Sequence, residues 1–244
     1  MIKILISDKL AKEGIDLLKS MEGVEPVVKT GMKEDELAAV IGEYDGLILR
    51  SDTKVTAQVL ARSGRLRAIA RAGVGIDNVD VKEATRKGIL VMNTPGGNTL
   101  SAAEHTMALI LALSRNVVPA CTSLKSKVWD RKKYTGNQLN NKVLGVIGLG
   151  RIGMAVARMA RGFNMKVLGY DPLAAPPEAP KIGVEICDGL ERIFRESDFI
   201  TVHVPKNDQT VNMIGKDQIA LMKPSVRLIN VARGGILNED ALQI

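Results

Sequence analysis

Gly148-Leu149-Gly150-Arg151-Ile152-Gly153 follows an apolar run that ends at Ile147 and opens a stretch with helical apolar spacing. A Gly-x-Gly-x-x-Gly pattern alone is a weak signal, but between a strand and a helix it is a specific one. In that setting the first glycine permits a tight turn, the second lets a pyrophosphate approach bare backbone, and the third lets the helix pack closely on the strand. The unpaired N–H groups and positive dipole of the helix N-terminus attract the phosphates. Asp171 closes the next apolar run, near the ~20-residue spacing at which an acid meets the adenosine ribose. Its carboxylate can accept hydrogen bonds from the ribose hydroxyls and repel a 2′-phosphate, so NAD is expected rather than NADP. The bland alternative is a glycine-rich turn with Asp171 as a local cap, and it is disfavoured because strand, helix and acid fall in register. Gly148, Gly150, Ile152 and Gly153 are therefore cofactor-binding candidates. Arg151 either touches the pyrophosphate or is simply solvated, and the sequence leaves both open.

Such a loop needs a sheet to hold it. From residue 1 to about 95, short apolar runs (2–6, 24–28, 46–49, 66–70, 89–92) alternate with amphipathic helical stretches (14–20, 34–41, 57–63, 82–87). This alternation predicts a parallel sheet with helices on both faces, a small flavodoxin-like α/β domain. Residues 96–141 read as linker helices and a dimerisation segment. Ser101-Ala102-Ala103-Glu104 has the form of a capping box before Met107-Ala108-Leu109-Ile110-Leu111-Ala112-Leu113, a helix apolar on nearly every side and so expected to be buried. Residues 128–141 are polar, basic and turn-rich. A second βα series begins at Lys142, with strands predicted at 143–147, 166–170, 183–186, 199–204 and 226–231 and helices at 152–162, 190–195 and 216–222. The expected class is thus α/β, two doubly wound parallel-sheet domains, the second a Rossmann NAD-binding unit over residues 142–244.

Composition excludes several other classes. The formal charge is +7, which suits an anionic partner, yet the basic residues are dispersed apart from Arg131-Lys132-Lys133. With one tryptophan, three tyrosines and three phenylalanines there is little to stack on bases, so nucleic acid is not the expected partner and a phosphorylated metabolite is. No apolar run approaches the roughly 18 residues of a membrane span, and Met1–Ile6 reads as a strand without a cleavage site, which points to a cytoplasmic protein. Cys121 and Cys187 form no Cys-x-x-Cys pair, so neither a disulfide scaffold nor a metal site is expected.

Several further blocks carry a resemblance. Asn93-Thr94-Pro95-Gly96-Gly97-Asn98-Thr99-Leu100-Ser101-Ala102-Ala103-Glu104, the glycine loop, Phe199-Ile200-Thr201-Val202-His203-Val204-Pro205 and Asn230-Val231-Ala232-Arg233-Gly234-Gly235 stand in order along the chain. Together they resemble the signature blocks of the D-2-hydroxyacid dehydrogenase family. Arg50-Ser51, Arg71-Ala72-Gly73-Val74-Gly75-Ile76-Asp77-Asn78 and Trp129-Asp130-Arg131-Lys132-Lys133-Tyr134 narrow the resemblance to its phosphoglycerate-oxidising branch. The family implies a nicotinamide in the cleft between the two domains, near Val74, Val204, Pro205, Thr210, Val231, Ala232 and Arg233. It also implies that Arg50, Ser51, Gly73, Asn98, Arg131 and Lys132 meet the substrate's carboxylate and phosphate, the last pair from a neighbouring subunit of a homodimer or homotetramer. Trp129 fits an interface packing residue better than a base platform.

Oxidising a 2-hydroxy acid requires a cation for the carboxylate and C2 oxygen, a base for the hydroxyl proton, and a nicotinamide set for hydride transfer. Arg233 is the candidate cation, since its planar fork binds a carboxylate bidentately and Gly234-Gly235 leave room beside it. By resemblance it is the family's catalytic arginine. The family's histidine base and its glutamate partner lie downstream of that block, and neither His105 nor His203 stands at their place; a core or supporting role is expected of both. Asn238-Glu239-Asp240 reads as the start of a helix, so the sequence is expected to be truncated within the Rossmann domain. The implied reaction is NAD-dependent oxidation of 3-phosphoglycerate to 3-phosphohydroxypyruvate, the first step of serine synthesis. Two alternatives stay open: another 2-hydroxyacid dehydrogenase, such as a glyoxylate or hydroxypyruvate reductase, and a non-catalytic NAD-binding protein.

Overall fold

The computed structural model describes residues 1–242. The chain divides into two compact units, one running from Met1 to Asn98 and the other starting at Thr99.

In the first unit the strands are β1 (Ile2–Ile6), β2 (Val24–Val28), β3 (Gly46–Leu49), β4 (Ala68–Arg71) and β5 (Leu90–Asn93). The helices between them are α1 (Lys12–Ser20), α2 (Glu34–Val40), α3 (Ala57–Ala61) and α4 (Val81–Arg86). All pairings are parallel and the strand order is β2-β1-β3-β4-β5, the doubly wound flavodoxin order. Leu5, Leu47, Leu49 and Ile69 point inward and meet Leu37, Ile41, Val59 and Leu60 from the helical layer. Each such side chain contributes roughly 1.5–3 kcal/mol by leaving water. The helix starts are capped where the sequence supplies a short polar side chain: Thr56 accepts from the Val59 amide and Asp80 from the Glu83 amide.

The second unit opens with α5 (Thr99–Ser114) and α6 (Val117–Lys125) and continues with β6 (Val143–Ile147), α7 (Arg151–Gly162), β7 (Lys166–Tyr170), β8 (Val184–Ile186), α8 (Leu190–Glu196), β9 (Phe199–Val202), α9 (Lys216–Ala220) and β10 (Arg227–Asn230). Its sheet is again parallel throughout, in the order β10-β9-β6-β7-β8. Counted from β6 this is the Rossmann arrangement, with the order reversing between β6 and β9. Helices cover both faces, so the central strands are buried without alternation and apolar but for Thr201: β9 is buried at every residue and β6 at all but its first.

Three departures from the sequence reading have local causes. The helix α5 begins at Thr99, so Ser101 and Glu104 lie inside it and no capping box forms there. Nor is α5 buried all round: Ala103, Met107 and Ile110 pack inward while Leu100 and Leu113 stay exposed, and His105 is exposed as well rather than in the core. The chain turns at Asn116, which takes a left-handed conformation (φ 52°), into α6, a helix with no buried residue that the polar and turn signals downstream do not announce. At the far end Asn238 does cap a short 3-10 turn, Glu239–Leu242, by accepting from the Ala241 amide; the remainder of the helix expected there lies outside the described residues. Among the described residues no single helix is long and apolar enough to cross a membrane.

One ion pair ties the base of the second sheet. The Asp198 carboxylate accepts from the Val143 amide at 2.8 Å and from Lys223 Nζ at 3.0 Å. Burial works against its charge, but these two donors outweigh it and hold the carboxyl below the usual aspartate range. A depressed folded-state pKa stabilises the fold above the unfolded value and loses that contribution as pH falls through the folded value. Asp198→Asn should therefore cost about 1–3 kcal/mol at neutral pH and flatten the acid limb below about pH 4. Urea unfolding of both proteins over a pH series checks this, and equal stability of the two at pH 7 contradicts it.

Candidate functional site

Strand register brings the candidate residues of the second unit to one level. Ile147 pairs with Tyr170 on one side and Val202 on the other, and Val202 pairs with Asn230. The next residues along, Asp171, Gly148, His203 and Val231, therefore stand side by side at the carboxyl ends of β7, β6, β9 and β10. Open α/β sheets bind ligands at this end, at the switch point, which here falls between Gly148 and His203.

The glycine loop is built around two crowded positions and one empty one. Gly148 has φ 94°, and a Cβ on it would lie 2.7 Å from the carbonyl of His203. A Cβ on Gly153 would lie 1.9 Å from the Gly148 carbonyl oxygen. Gly150, the residue preceding α7, has nothing within 4 Å of its Cβ position, and α7 has no side-chain cap on its first-turn amides. A bare backbone corner with free N–H donors and open space in front of it fits a dinucleotide pyrophosphate. Arg151 is exposed at the first position of α7 and Ile152 is half-buried against the core.

Asp171 plays the part of a local cap and keeps capacity for more. Its Oδ2 accepts from the Leu149 amide at 2.8 Å and its Oδ1 from the Leu173 amide at 3.0 Å. A carboxylate has about four lone-pair sites, so roughly two remain for hydroxyl donors. The first of these bonds also fixes the carboxylate against the glycine loop itself.

Arg233 follows β10 in a turn held by a single side chain. Asn230 Oδ1 accepts from the Ala232 amide at 3.0 Å, and its Nδ2 donates to the Arg233 carbonyl at 2.8 Å. The guanidinium is half-buried and donates through Nη1 to the Ala232 carbonyl at 2.8 Å. Val231 packs on the core beneath β6, and Ala232 on the opposite layer. Beside this turn lies Lys206, whose Nζ comes within 3.0 Å of the Cβ position of Gly235. Neither Asn230 nor Lys206 stands out in the sequence as a site residue.

Thr210 is buried, and its hydroxyl is taken up locally: it donates to the Pro205 carbonyl at 2.6 Å and accepts from the Asn207 amide at 2.9 Å. It closes the loop that carries Val204, which is buried against Gly148, and Pro205, which is exposed. His203 is half-buried, with Nε2 3.0 Å from Thr201 Oγ1, and burial pushes its imidazole down to about 4. It is neutral at physiological pH and faces a hydroxyl, not a carboxylate.

In the first unit Arg50 and Ser51 are exposed immediately beyond β3. Gly73 accepts from the Thr94 amide at 3.0 Å, and the Val74 carbonyl accepts from Asn93 Nδ2 at 2.6 Å, which ties the loop after β4 to the end of β5. Asn98 is exposed at the end of the unit. Arg131 and Lys132 belong to neither group. They are exposed on the turn after α6, where Arg131, Trp129, Tyr134, Leu124 and Cys121 line a depression of about 660 Å³. Cys121 is exposed there, whereas Cys187 is buried in the second core and burial pushes its thiol up. Among the described residues no cluster of side chains could hold a metal ion.

The chain belongs to the D-isomer specific 2-hydroxyacid dehydrogenase family, whose NAD binding domain matches residues 107–243. NAD is accordingly the nucleotide of this domain. More particularly, the chain is 47% identical over 242 residues to the D-3-phosphoglycerate dehydrogenase of Synechocystis sp., covering 99% of this chain and 43% of that protein. The D-3-phosphoglycerate dehydrogenase of Methanocaldococcus jannaschii is 46% identical over 242 residues, 99% of this chain and 46% of that protein. A solved D-lactate dehydrogenase from Aquifex aeolicus, complexed with NAD and lactic acid, superposes with a TM-score of 0.85 at 32% identity, covering 98% of this chain and 72% of that one. The chain spans less than half the length of the two curated relatives.

Gly150→Ala separates the nucleotide role of the loop from its structural one. Because its Cβ would touch no protein atom, the melting temperature should stay within about 2 °C. NADH affinity, measured by fluorescence titration, should fall at least ~10-fold as the methyl intrudes on the phosphate. Unchanged affinity would show that nothing binds against that corner.

Proposed function

We propose that the chain is part of a cytoplasmic, oligomeric enzyme that oxidises 3-phosphoglycerate to 3-phosphohydroxypyruvate with NAD, the entry step of serine synthesis. The observation that carries this reading is the placement of Arg233, in a turn fixed by Asn230, next to the line of Gly148, Asp171, His203 and Val231. The names of the curated relatives support the choice of substrate.

In this reading the first-turn amides of α7 hold the pyrophosphate and Asp171 accepts from the adenosine ribose. Val74, Val204, Pro205, Thr210, Val231 and Ala232 border the nicotinamide. Bound NAD supplies the acceptor for the hydride that leaves C2. The Arg233 guanidinium grips the substrate carboxylate in two parallel charge-assisted hydrogen bonds and polarises the C2 oxygen as the hydroxyl proton departs. Arg50, Ser51, Gly73 and Asn98 hold the carboxylate and phosphate from the first unit, and Arg131 and Lys132 answer the phosphate from a neighbouring subunit. The apolar exposure of Val117, Val118, Leu124 and Trp129, the last 73% exposed, supports a subunit contact around α6. The proton acceptor is assigned to neither histidine: His203 is occupied with Thr201, and His105 is exposed on α5.

The test uses the full-length protein with 3-phosphoglycerate, D-glycerate and D-lactate. Turnover with 3-phosphoglycerate should exceed that with D-glycerate at least ~100-fold in kcat/KM, because the phosphate adds charge-assisted contacts. Arg233→Ala should lower kcat/KM by about 10³, near 4 kcal/mol, and Lys at this position should restore little because it lacks the fork. Arg131→Ala should raise KM for 3-phosphoglycerate roughly tenfold and leave D-glycerate untouched. Equal use of phosphorylated and unphosphorylated acids would sink the phosphoglycerate reading while leaving the 2-hydroxyacid dehydrogenase class standing.

A further inference from the structure

The loop that carries Arg50 and Ser51 is held at both ends by two side chains of opposite hydrogen-bonding polarity. Asp8, 5% exposed, lies just past β1 beside the end of β3, at the point where the strand order of the first sheet reverses. Its Oδ2 accepts from the Arg50 amide at 2.6 Å and from the Thr53 amide at 3.2 Å, and its Oδ1 accepts from the Thr53 hydroxyl at 2.6 Å. Asn78 meets the same two residues from the other side, its Nδ2 donating to the Arg50 carbonyl at 2.6 Å and to the Thr53 carbonyl at 2.7 Å. The backbone of Asn78 is itself pinned, since its carbonyl accepts from the Val55 amide at 2.8 Å and the Asp80 amide donates to the Val55 carbonyl at 2.8 Å.

Four backbone groups, both donors and both acceptors of Arg50 and Thr53, are thus satisfied by one carboxylate and one carboxamide. An ionised carboxylate only accepts and a carboxamide nitrogen offers two donors, so each residue type suits its own side of the loop and not the other. Rotating the Asn78 amide would set its oxygen against two carbonyl oxygens, which fixes its orientation. That orientation leaves Asn78 Oδ1 buried without a partner. What the clamp does achieve is a single loop shape from which Arg50 and Ser51 project, exposed, into solvent.

We infer that Asp8 and Asn78 are positioning residues for substrate binding, acting through Arg50 and Ser51; this rests on the reading of those two residues as substrate ligands. Without the clamp the Arg50 guanidinium samples many directions and its aim must be recovered on binding, at the expense of affinity. The NAD contacts assigned to the second unit are unaffected.

The test is steady-state kinetics of the full-length enzyme carrying Asp8→Asn or Asn78→Asp, each of which keeps the shape and inverts the polarity. Each variant should raise KM for 3-phosphoglycerate about 10- to 100-fold with KM for NAD and NADH titration unchanged. Placed on an Arg50→Ala background, Asn78→Asp should add only the smaller rise that passes through Ser51. Thr53→Val, which deletes the hydroxyl bonds to Asp8 and Ser7 and keeps the backbone bonds, should raise KM for the acid several-fold and serves if the polarity variants do not fold. An unchanged KM for the acid, a parallel rise in KM for NAD, or a full additional effect on the Arg50→Ala background overturns the positioning role. If Arg50→Ala by itself leaves KM for the acid unchanged, the substrate reading of Arg50 fails first and takes the clamp with it.

Discussion

The contact between Gly153 and the Gly148 carbonyl sets how closely α7 lies against β6. A methyl group there would sit far inside van der Waals contact distance of that oxygen, so the helix would have to move away from the strand. Much else hangs on that distance. It fixes where the first-turn amides of α7 end up, and it keeps Leu149 where its amide can donate to Asp171. Gly148 is in turn pressed against His203, so the end of β9 and the loop it leads into take their place from the same glycine. The corner formed by the glycine loop is therefore a packing solution first, with open space left over at Gly150.

Much of the fold is legible in the sequence because burial on both faces leaves a simple trace. The runs Val143–Ile147 and Phe199–Val202 are apolar but for Thr201 and show no exposed alternate face, and the glycine loop announces the strand-to-helix turn between Ile147 and Arg151. Boundaries are less legible. Ser101-x-x-Glu104 is a sound start signal, yet the helix has already begun at Thr99. The helix α6 buries none of its residues, so it lacks the one-sided periodicity by which helices are recognised.

The candidate site divides in the same way. Arg233, Asp171 and the glycines sit in contiguous motifs, so their candidacy can be read from neighbouring residues alone. Asp8 and Asn78 carry no such signal: Asp8 meets Arg50 from 42 residues away in sequence, and Asn78 meets it from 28. A lone aspartate after a strand has many uses, and only the fold decides that this one closes a loop. Asn230 was nearer to being legible, since it lies three residues from Arg233, but its two bonds are to backbone and leave no pattern in residue type.

The two cysteines differ in a way that reaches into how the protein can be handled. Cys187 is buried and its thiol is pushed up, so at neutral pH it offers almost no thiolate, while Cys121 stands exposed on the rim of the depression beside Trp129. Thiolate availability and access govern alkylation. A maleimide dye added to the folded chain is thereby directed to one address, on α6, without any engineered cysteine. The lone tryptophan is its near neighbour along the depression, which gives an intrinsic donor and a placed acceptor for following by light whatever comes to rest against that surface.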